Sequence, residues 1–115
     1  MIVMRPIREQ AVIDSLNAGR FSGEIEGYVV MDGAEYHGHM LYKVENSCTQ
    51  VLECGVENTA FIDGAVRACV AAGENAGATR FYVNQDDDKL ARWCGIFCKT
   101  DKNPVSNEKI FHQCK

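Results

Sequence analysis

The chain has 115 residues, of which 46% are hydrophobic and 24% charged, a mixture typical of a globular protein. This length predicts a single domain over residues 1–115 that needs neither disulfides nor a structural metal to fold. The formal charge is −4, and the basic residues are scattered along the chain. Because nucleic acids bind concentrated positive surfaces, we expect no nucleic-acid partner. No stretch approaches the ~20 apolar residues of a membrane span, so we expect no membrane partner either.

Cysteines are numerous for so short a chain. The six are Cys48, Cys54, Cys69, Cys94, Cys98 and Cys114. The apolar N-terminal start ends at Arg5 and is too short for a signal peptide. We therefore expect a cytoplasmic protein with reduced thiols, several of them packed as small hydrophobic side chains. Zinc sites commonly use Cys-x2-Cys pairs, which the sequence lacks, so no metal is expected. Metal or redox chemistry on the cysteines stays an alternative.

The first half of the chain predicts a strand, a helix and a hairpin. Residues Ile2–Ile7 form a short extended run, and Glu9–Ala18 have apolar residues near helical spacing. Two further extended runs, Glu26–Met31 and Tyr36–Glu45, flank an Asp32-Gly33 pair, which is typical of a β-hairpin turn.

The second half predicts a strand, a crossover helix and a second strand. We expect a loop at Asn46–Thr49, a strand over Gln50–Glu57 and an N-cap at Asn58 and Thr59. A helix over Ala60–Ala76, closed by Gly77, and a strand over Arg80–Asn84 follow. The rest of the chain predicts a short helix from Asp86 through Trp93, a strand over Gly95–Lys99 and a short helix over Ser106–Cys114. A strand-helix-strand unit makes its two strands parallel. The expected fold is therefore α/β, with a mixed central sheet and flanking helices.

Three segments resemble the GNAT (N-acetyltransferase) superfamily. They are Val51–Val56, Ala65–Ala68 and Gly77–Asn84, which match the family's strand, long helix and following strand in order and spacing. The resemblance covers most of the chain. It lies in the order of the secondary-structure elements more than in identical amino acids. It implies a single acyl-CoA N-acyltransferase-like domain, shortened at Arg20–Ile25, where the family usually has a second helix. That shortening would leave the acceptor side open, and a homodimer would cover it.

The resemblance also implies a cofactor, acetyl-CoA or coenzyme A. In this superfamily the cofactor lies beside the strand before the long helix, and its pyrophosphate rests on backbone amides at the start of that helix. Free N–H groups and the helix dipole attract phosphate there. The residues implied here as cofactor contacts are Val56, Asn58, Thr59, Ala60, Phe61, Ile62, Gly64 and Asn84.

The phosphate-binding loop departs from the family pattern, Arg/Gln-x-x-Gly-x-Gly/Ala. Aligned without gaps, the Arg/Gln and Gly positions fall on Glu57, Ala60 and Ile62. Aligned with a deletion, they fall on Thr59, Ile62 and Gly64. Neither alignment supplies the basic residue or the paired glycines, although the amides at the helix start remain donors for weak anion binding.

Two functions follow as hypotheses. The first is an acyl-CoA-dependent N-acyltransferase that moves an acetyl group to an amine of a small molecule or peptide. In that case Glu53 stands where the family often has a general base, and a backbone N–H of the Gln50–Glu57 strand would polarise the thioester. The alternative is a non-catalytic GNAT-like ligand-binding or protein-interaction module. Two departures from the family pattern favour it: the altered loop, and Ala91, which stands where many members have a Tyr that protonates the leaving thiolate.

His37-Gly-His39 is a candidate metal-binding pair. The spacing predicts two imidazoles on one face of a strand, which would need a third ligand such as Cys48 or His112. Solvent-facing histidines are the commoner explanation of this pattern.

Overall fold

The hydrophobic pattern folds into one mixed six-stranded sheet with helices on its two faces. The computed structural model describes residues 2–98 and 105–111. The elements in chain order are β1 (Ile2–Pro6), α1 (Gln10–Asn17), β2 (Glu26–Asp32), β3 (Glu35–Glu45), β4 (Cys48–Cys54), a 3₁₀ turn (Thr59–Phe61), α2 (Ile62–Asn75), β5 (Arg80–Val83), α3 (Asp88–Phe97), β6 (Val105–Ser106) and α4 (Glu108–Phe111). The strands lie side by side in sequence order.

Strand pairing confirms the predicted α/β architecture. All neighbouring pairs are antiparallel except β4 and β5, which run parallel from Cys48 opposite Arg80 to Val51 opposite Val83. Helix α2 is the crossover between these two strands, as the sequence predicts. In the described ranges no helix is both long enough and apolar enough to cross a membrane.

Most of the core lies between the sheet and α2. The helix buries Ala65, Val66, Cys69 and Val70 completely, because these positions fall on one side at helical spacing. Near its C-terminal end, Gly73 lies so close to β4 that a Cβ there would collide with Thr49 Oγ1. Glycine therefore allows the helix and the sheet to approach each other.

The opposite face has a much smaller apolar cluster. Helix α1 is only eight residues long, and the buried residues of this cluster are Ile13, Ile25, Leu41 and Leu52. The segment between α1 and β2, residues 18–25, contains no helix.

Several element boundaries differ from the sequence predictions. The predicted strand at Gly95–Lys99 is wrong over its described part, because residues 95–97 continue α3, where Leu90, Trp93 and Cys94 form a buried helical stripe; Lys99 lies outside the described residues. The predicted loop at Asn46–Thr49 is a tight turn in which Asn46 and Ser47 have φ of 54° and 60°. That left-handed pair suits a two-residue hairpin, so β4 begins at Cys48.

The predicted C-terminal helix is shorter than expected. Ser106 belongs to β6, and α4 covers Glu108–Phe111. The remaining part of that prediction, residues 112–114, lies outside the described residues. The predicted strand that was to end at Glu57 ends at Cys54.

Candidate functional site

A bulge in β4 places Glu53 on the thinly covered face of the sheet. Leu41 pairs with Glu53, but the next residue of β3, Tyr42, pairs with Val51, so Leu52 is an extra residue in β4. Leu52 belongs to the apolar cluster beside α1. Glu53 contacts Arg20, whose side chain also caps the C-terminal carbonyls of that helix.

Glu53 is the centre of a polar cluster of four side chains, which we call the Glu53 cluster: Arg20, Tyr36, His39 and Glu53. Arg20 Nη1 lies 2.7 Å from Glu53 Oε1, and His39 Nε2 donates to Glu53 Oε2 at 2.9 Å. The Tyr36 hydroxyl is 3.4 Å from His39 Nδ1. His39 also packs on Gly55, where a Cβ would lie 2.5 Å from the imidazole.

The charge of Glu53 is stabilised by these neighbours. The hydrogen bond from Arg20 lowers the pKa of Glu53, burial acts in the opposite direction, and the hydrogen bond from His39 lowers it further. A carboxylate with a lowered pKa is a weak proton acceptor. Because Nε2 of His39 donates to Glu53, Nδ1 is the ring nitrogen left to accept a hydrogen bond.

The predicted pairing of His37 with His39 on one face is wrong. Val30 pairs with Gly38 while Met31 pairs with Tyr36, so His37 is the extra residue of a bulge, next to Gly38 at φ 131°. The bulge places the His37 ring on the α2 face, where it packs edge-to-face with the Phe61 ring, with centroids 4.9 Å apart.

The carboxyl end of β4 is tied to the loop after β5. Asn84 Nδ2 donates to the Leu52 carbonyl at 3.0 Å, and the Cys54 N–H donates to Asp87 Oδ2 at 2.9 Å. The next amide, Gly55 N–H, donates to the His39 carbonyl. Asp87 is also the N-cap of α3, since its Oδ1 accepts from Lys89 N–H and Leu90 N–H. A thioester carbonyl that approached Cys54 N–H would have to displace this carboxylate.

The predicted cofactor contacts do not all meet at one place. Val56 is 0% exposed and Ile62 7% exposed, both within the core. Gly64 faces β1, where a Cβ would lie 3.0 Å from Met4 Cε. Phe61 packs on His37, and Asn84 lies at the strand ends described above.

The start of the crossover helix is more open. Asn58 Oδ1 accepts from Ala60 N–H at 3.0 Å, which confirms the predicted cap. Thr59 and Ala60 are exposed and, together with one edge of Ile62, line a groove beside α3. These three are the predicted contacts that the structure brings together.

This groove, the α2–α3 groove, has a volume of about 520 Å³ and mostly apolar walls. Its lining residues are Thr59, Ala60, Ile62, Asp63, Asp88, Lys89, Arg92, Trp93, Ile96 and Phe97. The negative charge of Asp63 is balanced by Arg67, because Asp63 Oδ1 accepts from Arg67 Nε at 2.8 Å. The same oxygen accepts from Trp93 Nε1 at 2.8 Å. Lys89 Nζ lies 3.5 Å from the highly exposed Glu57, and Arg92 is exposed. The groove therefore suits a ligand with an apolar stem and an anionic end.

The candidate metal and thiol groups lie apart from one another in the described residues. Over residues 2–98 and 105–111, no three His, Cys, Asp or Glu side chains are grouped to hold a metal ion. Cys48, Cys54 and Cys69 are free and buried. Burial raises the pKa of Cys54, which disfavours the reactive thiolate.

Comparison with known proteins adds no relative. No family model, curated protein or solved structure matches this chain. Function is therefore inferred from the contacts above and from the sequence resemblance.

Proposed function

We propose that this protein is a GNAT-like ligand-binding module that binds an acyl-CoA-type ligand in the α2–α3 groove without transferring the acyl group. The observation that carries the proposal is the groove itself, an apolar cleft at the start of the crossover helix with Lys89 and Arg92 at its wall. An acyl-CoA has the matching chemistry, with an apolar pantetheine and acyl stem and a polyanionic nucleotide.

The absence of transfer follows from the end of β4. Transfer needs a free hydrogen-bond donor aimed at the thioester oxygen as negative charge develops there. Cys54 N–H faces the β5 side but already donates to Asp87. The Asp87 carboxylate, so close to the developing oxyanion, would also repel it, which disfavours the transition state.

Thermal unfolding with coenzyme A and acetyl-CoA tests the binding. A ligand at one hundred times its dissociation constant stabilises the fold by about 2.7 kcal/mol, which corresponds to a rise in Tm on the order of 10 °C. Arg92→Gln should reduce this rise, whereas Arg8→Gln, which removes an exposed charge outside the groove, should leave it unchanged. An unchanged Tm at millimolar coenzyme A would contradict the proposal.

The second candidate is the acyl-CoA-dependent N-acyltransferase, and the Glu53 cluster favours it. A histidine held by a carboxylate can take the proton of an acceptor amine, and His39 has this arrangement with Glu53. In this case Asp87 would leave Cys54 N–H when the thioester binds.

Thiol release from acetyl-CoA in the presence of a panel of amines and peptides separates the two candidates. The module predicts no release above background. The transferase predicts release that His39→Gln abolishes and His37→Gln leaves intact, since His37 lies on the other face of the sheet. Release that survives His39→Gln would remove the proposed role of the cluster.

A further inference from the structure

Tyr36 and His39 meet because of an irregularity in β3. Residues three apart on a regular strand have side chains on opposite faces of the sheet. His37 is the extra residue of a bulge between them and shifts this alternation by one, so Tyr36 and His39 lie on the same face. The Tyr36 hydroxyl thereby comes within 3.4 Å of His39 Nδ1. The bulge at Leu52 in β4 places Glu53 on that face as well.

We propose that Tyr36, His39 and Glu53 form a nucleophilic triad in which the Tyr36 hydroxyl accepts the acyl group of an aryl ester. The Tyr36 hydroxyl faces Nδ1 of His39, and Nε2 of the same ring donates to Glu53. A nucleophile, a base beside it and a third group that orients the base are the parts of such a triad. This activity involves neither coenzyme A nor the α2–α3 groove, so it goes beyond the proposed function.

Glu53 determines which nitrogen of His39 is free to act as the base. Arg20 and His39 lower the pKa of Glu53, and the ionised carboxylate can only accept hydrogen bonds, so Nε2 carries the ring proton. Nδ1 is then the acceptor, and it faces the Tyr36 hydroxyl. Gly55 lies against the ring, since a Cβ there would be 2.7 Å from Nδ1. The contact between the phenol and the ring is long, and contacts of this kind commonly tighten when the substrate binds.

The acyl transfer needs only the three side chains and the ester. The Tyr36 oxygen attacks the carbonyl carbon of the ester, and its proton moves to His39 Nδ1. The bond from that carbon to the aryl oxygen breaks, and the phenolate leaves with the electron pair. The products are O-acylated Tyr36, the phenolate and a protonated His39 whose charge Glu53 balances. An aryl ester fits this site because a phenolate leaves without a proton, so no general acid is required.

The four tyrosines of the chain differ in exposure and in their neighbours. Tyr36 is 56% exposed, and its hydroxyl lies beside a base. Tyr28 and Tyr42 stack with ring centroids 5.8 Å apart, and burial raises the pKa of both hydroxyls. Tyr82 is half-buried on β5. We therefore expect Tyr36 to be the most reactive phenol, with Tyr82 as an internal reference in the same molecule.

Acetylation by p-nitrophenyl acetate near neutral pH tests the proposal, with peptide mass spectrometry to locate the acetyl group. Hydroxylamine removes acetyl from tyrosine but not from lysine, so a hydroxylamine-sensitive mass gain identifies the phenol ester. We expect Tyr36 to be acetylated about tenfold faster than Tyr82 or more. Equal rates at the two tyrosines, or acetyl groups on His39 with none on Tyr36, would overturn the proposal.

Two variants separate the base from the group that orients it. His39→Gln leaves Tyr36 exposed but removes the base, so acetylation of Tyr36 should slow about tenfold. Glu53→Gln introduces an amide that can donate to Nε2, which favours the tautomer with the proton on Nδ1, so it should also slow Tyr36. Glu24→Gln makes the same change in charge at an exposed position outside the cluster and should match the native protein.

The pH profile distinguishes this role from a merely structural one. In the native protein, acetylation of Tyr36 should become faster as His39 loses its proton, and this step should be absent from both cluster variants. The rate at Tyr82 should be the same in every protein, which shows that the fold is intact. A Tyr36 rate that His39→Gln leaves unchanged would remove His39 as the base, and a step that survives Glu53→Gln would remove Glu53 as the orienting group.

Discussion

The two faces of the sheet differ in how deeply they are covered. On the α2 face, one apolar cluster extends from β2 through α2 and α3 to α4 and includes the fully buried Phe81. On the α1 face, four buried residues form the cluster, and charged groups lie beside it. Lys43 is an example: it is nearly buried, and its Nζ donates to the Ser22 carbonyl at 2.8 Å.

Because of this difference, we expect the α2 face to contribute most of the stability and the α1 face to be the better place for acid–base chemistry. A deeply covered face excludes water and tolerates charge poorly. A thinly covered face lets Glu53 and His39 stay partly hydrated while their neighbours orient them, and that is where an acid–base group can work. We therefore expect substitutions on the α2 face to change the free energy of unfolding most, and substitutions in the Glu53 cluster to change its pH dependence.

The largest effect should come from Phe81→Ala. Phe81 is 0% exposed, and its ring is tilted by 60° against the ring of Trp93, with centroids 6.0 Å apart. Removing a buried phenyl ring costs about 3–5 kcal/mol in the free energy of unfolding. Urea unfolding measures it, with Ile13→Ala as the counterpart on the α1 face. We expect the Ile13 variant to lose less, about 2 kcal/mol, because a small cluster at the surface relaxes more easily. If Ile13→Ala lowered the free energy of unfolding more than Phe81→Ala, the α1 face would be the more important one for stability.

A matched pair of glycines tests the close approach of α2 to β4. Gly73→Ala forces a Cβ onto Thr49 Oγ1 and should destabilise the protein by about 1–3 kcal/mol. Gly95→Ala, also within a helix, meets no atom within 4 Å and should stabilise it by about 0.5–1 kcal/mol. Tm values of the two variants should therefore move in opposite directions. Stabilisation by both would mean that the helix does not approach the sheet so closely.

The sequence predicts those parts of the fold that are determined by residues close together in the chain. The strand at Ile2–Pro6, the hairpin turn after Asp32 and the Asn58 cap each follow from residues adjacent in the chain. The end of α3 has no such local cause, because the short apolar run after Trp93 fits a strand or a helix, and only packing against the sheet decides between them.

The Glu53 cluster could not be predicted from the sequence in the same way. It depends on the bulge at Leu52 and on the pairing of β3 with β4, which bring residue 39 beside residue 53. A bulge shifts the side-chain alternation by one, and it leaves no clear signal in a single sequence. The contact between Cys54 N–H and Asp87 has no local signal either, because it joins the end of β4 to the loop after β5, 33 residues along the chain.

A pH-dependent stability difference should distinguish the Glu53 cluster from the core. Arg20 and His39 lower the pKa of Glu53 below its ordinary value of 4.5. A lowered pKa contributes stability at pH values above 4.5, and that contribution disappears as the pH falls through the lowered pKa. Glu53→Gln should therefore lose about 1 kcal/mol at neutral pH, and the difference from the native protein should close in acid. Urea unfolding between about pH 7 and pH 2.5 measures it. A difference that stays constant with pH would argue against a stabilised carboxylate.

The smallest effect should come from Lys89→Gln, which breaks an ion pair outside both apolar clusters. Its partner Glu57 is 92% exposed, and the two charged atoms are 3.5 Å apart. Water screens such a pair, so the free energy of unfolding should change by less than about 0.5 kcal/mol, and any change should vanish at high salt. Arg20→Gln is the informative counterpart, because its partner Glu53 is only 19% exposed and also holds His39. If both variants lost the same stability, partial burial would not be what strengthens the Glu53 cluster, and the contrast between the two faces would rest on apolar packing alone.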